Sequence, residues 1–203
     1  YYLYLYLFYY FIYFFSIGYG LSISVLSVAT AIIFRDAITL PIALLCAVLF
    51  IYGIRLALYL FIREKKSEAY KKILYQPEST KKKPAFVMTM IWLMCALLYV
   101  GQISPATFYL YNITEGLPVN DAWAWAGTII AALGIAIEAI ADAHKSKSKK
   151  VNPGRYVDTG LYRIVRCPNY FGEILMWTGT FIICFGACCN VWQWVIASLG
   201  YIC

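Results

Sequence analysis

Apolar runs of about twenty residues, broken by two blocks rich in lysine and arginine, set the first constraint on this chain. A run of ~20 apolar residues wound as a helix matches the ~30 Å hydrocarbon layer of a bilayer. Lipid admits only helices and closed barrels, because every backbone N–H and C=O must find its partner inside the protein. Barrel strands would alternate apolar and polar over ~10 residues, and these runs do not. The reading is an all-α, polytopic transmembrane helix bundle of six to seven helices. Hydrophobic residues at 63% against 13% charged exclude the ordinary soluble class.

Residues 1–15 are nearly pure Tyr, Leu, Phe and Ile. A break is expected across 16–20, because 1–34 is too long for one ordinary span. The remaining spans are expected near 17–34, 38–63, 86–111, 123–142, 171–188 and 191–203. The third of these carries Gln102, Ser104 and Pro105 toward its far end. The chain opens without methionine and stops inside an apolar run at Ile202-Cys203. We therefore expect a single integral membrane domain over 1–203 with its C-terminal part missing.

Of the 17 Lys and Arg residues, eight fall in 63–83 and seven in 144–166. Both loops are expected on one side, and the positive-inside bias makes that side cytosolic. Trp123, Trp125, Trp192 and Trp194 then gather at the opposite face as an aromatic belt. The net charge of +7 reads as topology, with no nucleic-acid partner, since no arginine-rich arm or base-stacking motif accompanies it. Lysines 81–83 and 147–150 are expected in solvent or against membrane lipid headgroups. The seven cysteines form no CxxC pair, and with His144 as the single histidine no metal site is expected. Six cysteines read as small membrane hydrophobes; Cys167 is left open. The acceptor pattern Asn112-Ile113-Thr114 abuts a helix end and carries no weight.

Charged residues inside the spans are costly, roughly 2.5–3.5 kcal/mol each on insertion scales, and need a polar interior. Tyr52, Arg55, Tyr59 and Arg63 follow one another at three, four and four residues, one stripe on a helix. Glu138 and Asp142, four apart, make a second stripe. A plain helix–helix salt bridge between Arg55 and Glu138 is one reading; a polar cavity open to the basic side is the other.

The third polar source is 153–180, PGRYVDTGLYRIVRCPNYFGEILMWTGT, with Arg155, Asp158, Arg163, Arg166, Asn169, Tyr170 and Glu173 set between apolar segments. Gly154 and Gly160 are expected to permit tight turns, and Gly172 a close approach of backbone or ligand. Pro168 suits the first turn of a helix. That helix start, with Arg163 and Arg166 just before it, reads as a seat for a phosphate-bearing cofactor or, more simply, as positive-inside anchoring.

At GLYRIVRCPNYFGEILMWTG the chain resembles the steroid 5-alpha-reductase-like membrane proteins, in particular the DUF1295 family. That family usually has RHPNYFGE, and here Cys167 replaces the histidine. The resemblance implies a membrane reductase that uses NADPH to reduce a carbon–carbon double bond conjugated to a carbonyl in a lipophilic small-molecule substrate. It makes Asn169, Glu173 and Asp142 cofactor-binding residues, with Glu138 at a place often held by Asn. Arg63 falls near the family's phosphate-contacting arginines. Arg163, Arg166 and Tyr170 join the cofactor-binding candidates. Tyr52, three before Arg55, matches a carbonyl-polarising tyrosine, so these two are the catalytic candidates. The family's later cofactor residues have no counterpart. Isoprenylcysteine and phospholipid methyltransferases share an RHP-Tyr-x-Gly core, which keeps S-adenosylmethionine-dependent methyl transfer as the alternative; a non-catalytic lipid- or sterol-binding protein is the third reading.

Overall fold

The structure, a computed structural model, describes the backbone of residues 2–66 and 85–202 and the side chains of 17–62 and 86–202, Met88 apart. Most of the first basic loop, with Lys81, Lys82 and Lys83, and the side chain of Arg63 lie outside the described residues.

Among the described residues the secondary structure is helical, with no strand. In chain order the helices are α1 (Tyr2–Ile33), α2 (Leu40–Lys66), α3 (Ala85–Thr114), α4 (Asp121–Val151), α5 (Pro168–Ile182), the single turn α6 (Cys184–Ala187) and α7 (Val191–Ile202). A 3-10 turn at Gly160–Arg163 precedes α5. Among the described residues, four stretches are long and apolar enough to cross a membrane: Leu40–Ile62, Thr89–Thr114, Asp121–Val151 and Pro168–Ala187.

Two expected boundaries are corrected. Residues 16–20 do not interrupt α1, which runs unbroken for 32 residues, about 48 Å at ~1.5 Å per residue. Glycine and serine are poor breakers in lipid, where leaving the helix would strand backbone groups with no water to bind. Helix α4 also continues past Asp142 to Val151, so the first part of the second basic segment is helical. It stops where Asn152 precedes Pro153, a position that disfavours helical backbone. Lys149 closes that end through Nζ, which donates to the carbonyls of Pro153 at 3.0 Å and Arg155 at 2.7 Å.

Small residues hold the bundle together, because lipid offers no hydrophobic drive between helices and close backbone approach replaces it. Gly20 of α1 meets Gly53 of α2, and Gly101 of α3 meets Gly200 of α7. The most extensive pairing joins α4 to α5. A Cβ on Gly134 would lie 2.5 Å from the Met176 nitrogen, and one on Gly172 would lie 2.7 Å from the Glu138 nitrogen. The expected close approach at Gly172 is therefore between helices, with Glu138 at its centre. Gly160 takes the left-handed conformation at φ 61°. Gly154 lies in the expected turn, closed by the Arg155 N–H on the Asn152 carbonyl at 3.3 Å, but without a positive φ and facing open space.

At the far end of the bundle Trp123 and Trp194 both pack on Phe185, at 5.3 and 5.4 Å between ring centroids. Asn112 is buried there. Its amide nitrogen donates to the Ala187 carbonyl and to Cys189 Sγ at 3.2 Å, and its oxygen accepts from Gln193 Nε2 at 3.2 Å. Gln193 Oε1 in turn accepts from the Cys189 backbone N–H at 2.7 Å. The acceptor pattern at Asn112 is thus a structural pin between α3 and the α6–α7 corner.

Candidate functional site

The polar stripes meet. Arg55 of α2 donates from Nη2 to Glu138 Oε1 and from Nη1 to Asp142 Oδ2 at 3.1 Å, bridging two carboxylates one turn apart on α4. The Arg55–Glu138 salt bridge exists, but it is one arm of a larger cluster. One turn back on α2, Tyr52 is fully buried and donates from its hydroxyl to Glu173 Oε1 on α5 at 3.2 Å. Residues from α2, α4 and α5 thereby converge in one interior region, as separate polar sources need to if each is to avoid lipid.

The two proposed catalytic partners do not act on each other directly. The Arg55 guanidinium is turned to Glu138 and Asp142, whereas the hydroxyl of Tyr52 is turned to Glu173. Two carboxylates therefore contact the one guanidinium, and a third, Glu173, is held by the tyrosine. Arg55 Nε and Glu138 Oε2 are buried with no hydrogen-bond partner. An unpaired buried donor and acceptor cost about 1–3 kcal/mol each. Both atoms belong to the Arg55–Glu138 pair, so this ion pair keeps unused hydrogen-bonding capacity inside the cluster.

Around this centre the remaining candidates divide. Asn169 is half-buried one turn before Glu173 on α5. Phe171 N donates to Cys167 O at 3.1 Å, so the N–H groups of Asn169 and Tyr170 precede the first intrahelical bond of α5. Pro168 occupies the first turn as expected. Arg163, Arg166 and Cys167 are exposed beside that helix start. Tyr170 is 61% exposed and lines the apolar cavity described next. Arg63 continues the α2 stripe in sequence, with its side chain outside the described residues. Behind the cluster Tyr162 donates to the Ala141 carbonyl at 3.4 Å, and burial raises its phenol above the ordinary value. His144 bonds Thr159 at 3.0 Å, tying the 152–159 segment to α4.

A cavity of about 950 Å³ adjoins the Tyr52–Glu173 pair, lined mainly by apolar and aromatic residues that include Tyr19, Leu56, Leu98, Tyr99 and Trp177, with Glu173 on its wall. This size is near the upper end of the ~300–1,000 Å³ of small-molecule sites. Tyr52 sits behind that wall, edge-on to Trp177 with centroids 6.2 Å apart. Tyr19 of α1 lies on the cavity side, tilted against Tyr99 with ring centroids 5.1 Å apart. The sequence reading did not single out Tyr19 or Trp177, because an aromatic residue within an aromatic-rich run gives no pattern that separates a site from packing.

With the geometry in place, comparison with known proteins gives the family. A family-wide sequence profile described as "Protein of unknown function (DUF1295)" matches residues 14–202. The chain belongs to the DUF1295 family, a steroid 5-alpha-reductase-like family. Among curated relatives, steroid 5-alpha-reductase DET2 of Arabidopsis thaliana is 32% identical over 85 residues, 39% of this chain and 29% of the relative. The protein of the same name from Gossypium hirsutum is 38% identical over 72 residues, 34% of this chain and 25% of the relative. The matched stretches thus span under a third of each relative. No solved structure gives a significant match. Within this DUF1295 member, Tyr52, Arg55, Glu138, Asp142 and Glu173 meet from three helices, whereas no hydrogen bond ties the Asn169 side chain to them and the side chain of Arg63 lies outside the described residues.

Proposed function

We propose that this protein is a membrane reductase that uses NADPH to reduce a carbon–carbon double bond conjugated to a carbonyl in a lipophilic, steroid- or lipid-like substrate. The observation that carries the reading is the Tyr52–Glu173 hydrogen bond, set between a charged, partly unsatisfied cluster on one side and a large apolar cavity on the other. The residues fit the cofactor. Arg55 Nε and Glu138 Oε2 offer a buried donor and acceptor, Asn169 and Glu173 lie on the adjoining turn of α5, and Arg163 and Arg166 give the exposed rim positive charge for phosphates. The polarity runs from acidic inside to basic outside.

NADPH bound here supplies the hydride. Asp142 and Glu138 hold the Arg55 guanidinium, which makes Arg55 a positioning residue. Glu173 holds the Tyr52 hydroxyl, and a carbonyl oxygen reaching that hydroxyl takes over its hydrogen bond. Negative charge developing on the oxygen is then met by a phenol O–H already ordered in a water-poor site, where such donors are most effective. Because Tyr52 is shielded from the cavity, Tyr19 or Glu173 must shift for the carbonyl to arrive. The placement of the two basic loops in the cytosol, where NADPH is available, belongs to the same proposal.

The test is ligand-induced thermal stabilisation of the purified protein in detergent. NADPH at a hundredfold over its Kd should stabilise by about 2.7 kcal/mol through mass action, and Glu173→Gln or Asn169→Ala should weaken the titrated affinity. Stabilisation by S-adenosylmethionine alone would favour methyl transfer, and a response to neither would favour a non-catalytic lipid-binding protein.

A further inference from the structure

The apolar cavity has a second polar point, away from the reacting end. Gln102 of α3 is part of its wall, half-buried, and its Oε1 is buried with no hydrogen-bond partner. Two other polar groups of the wall are engaged: Tyr201 exchanges a hydrogen bond with Thr178 at 2.8 Å, and Glu173 accepts from Tyr52. An amide inside a membrane span is expensive to leave unpaired.

The position of Gln102 is fixed by backbone packing. A Cβ on Gly200 would lie 2.5 Å from the Gln102 nitrogen, so Gln102 is locked beside Tyr201, the next residue of α7. Tyr201 in turn bonds Thr178, which is five residues beyond Glu173 on α5. Five residues of helix advance ~7.5 Å. Gln102 therefore lies at a different level of the bundle from the Tyr52–Glu173 pair, on the wall of the same cavity as Glu173.

We infer that Gln102 is a specificity-determining residue that binds a hydroxyl on the distal part of the substrate, so that the cavity selects lipophilic enones bearing an oxygen at both ends. A hydroxyl suits either atom of the amide, since it donates and accepts. An unmodified hydrocarbon tail leaves the amide unpaired and is disfavoured. The inference rests on the reading of Tyr52–Glu173 as the carbonyl-binding end.

The test compares matched enones in two skeletons, a tetracyclic 4-ene-3-ketone with and without a 17-hydroxyl and a linear sixteen-carbon enone with and without a terminal hydroxyl. Binding to the NADPH-loaded protein is followed by quenching of tryptophan fluorescence. In at least one skeleton the hydroxylated form should bind roughly tenfold more tightly, the scale of one buried hydrogen bond. Gln102→Leu should abolish that preference while binding the deoxy form as well as the wild type does, and Gln102→Asn should restore part of it. With turnover as readout, the change should fall on KM and leave kcat in place. Equal binding of both forms by the wild type in both skeletons overturns this inference and leaves the reductase reading standing, even if Gln102→Leu fails to fold. If no enone binds the wild type, the reductase reading fails and this inference with it.

Discussion

Two buried polar clusters lie at opposite ends of the bundle, and they are built differently. Around Asn112 all the amide atoms of Asn112 and the oxygen and nitrogen of Gln193 have partners, and every member is neutral. Around Arg55 the groups are charged, carboxylates outnumber the guanidinium, and a donor and an acceptor remain unpaired. A satisfied neutral network fixes helices and asks for nothing more. A charged network with open valences holds its members for something else to bind. The difference separates a structural pin from a site, although both look in the sequence like polar residues misplaced in apolar runs.

The largest effect should follow from Arg55→Leu. Removing the guanidinium leaves Glu138 and Asp142 as uncompensated buried carboxylates, costing about 3 kcal/mol or more and eliminating NADPH binding. Adding Glu138→Leu should return part of the stability, measured by thermal or denaturant unfolding in detergent, but none of the cofactor binding. Recovery of both would make the cluster a simple salt bridge and erase the contrast with Asn112.

An intermediate effect is expected for Asn112→Ala, which strands the Gln193 amide and the Ala187 carbonyl at a cost of about 2 kcal/mol. The NADPH affinity of the folded fraction should be unchanged. A fall in affinity without loss of stability would show that the far cluster communicates with the site.

The smallest change in stability, within about 1 kcal/mol, should come from Tyr52→Phe, which keeps the ring against Trp177 and removes only the bond to Glu173. Turnover should nevertheless fall on the order of a hundredfold, as when a single donor to a developing oxyanion is lost. An unchanged reductase rate would remove Tyr52 from the chemistry and leave it as packing.

Much of the fold was legible before any coordinates. Span length fixed the helices, and Pro168 marked the start of α5. The differences were at residues 16–20, where a soluble-protein sense of breakers was applied to a helix whose backbone has no alternative partner, and at 144–151, where a basic stretch expected as loop continues the helix. Of the site, the stripes on α2 and α4 could be read from spacing, since Tyr52, Arg55, Glu138 and Asp142 are each one turn from a neighbour. The roles of Tyr19 and Gln102 could not. Tyr19 is hidden among nineteen tyrosines, and Gln102 gains meaning only from the glycine contact that sets it beside Tyr201.

The sequence by itself determined that this chain is a membrane helix bundle and which face of each helix is polar, because hydrophobic length and helical period are properties of single segments. Which polar face meets which was decided by tertiary structure. Arg55 reaches Glu138 and Asp142, and Tyr52 reaches Glu173, because glycines at 20, 53, 134 and 172 let backbones come close enough for those side chains to touch. That contact depends on shape across helices, which no local pattern encodes.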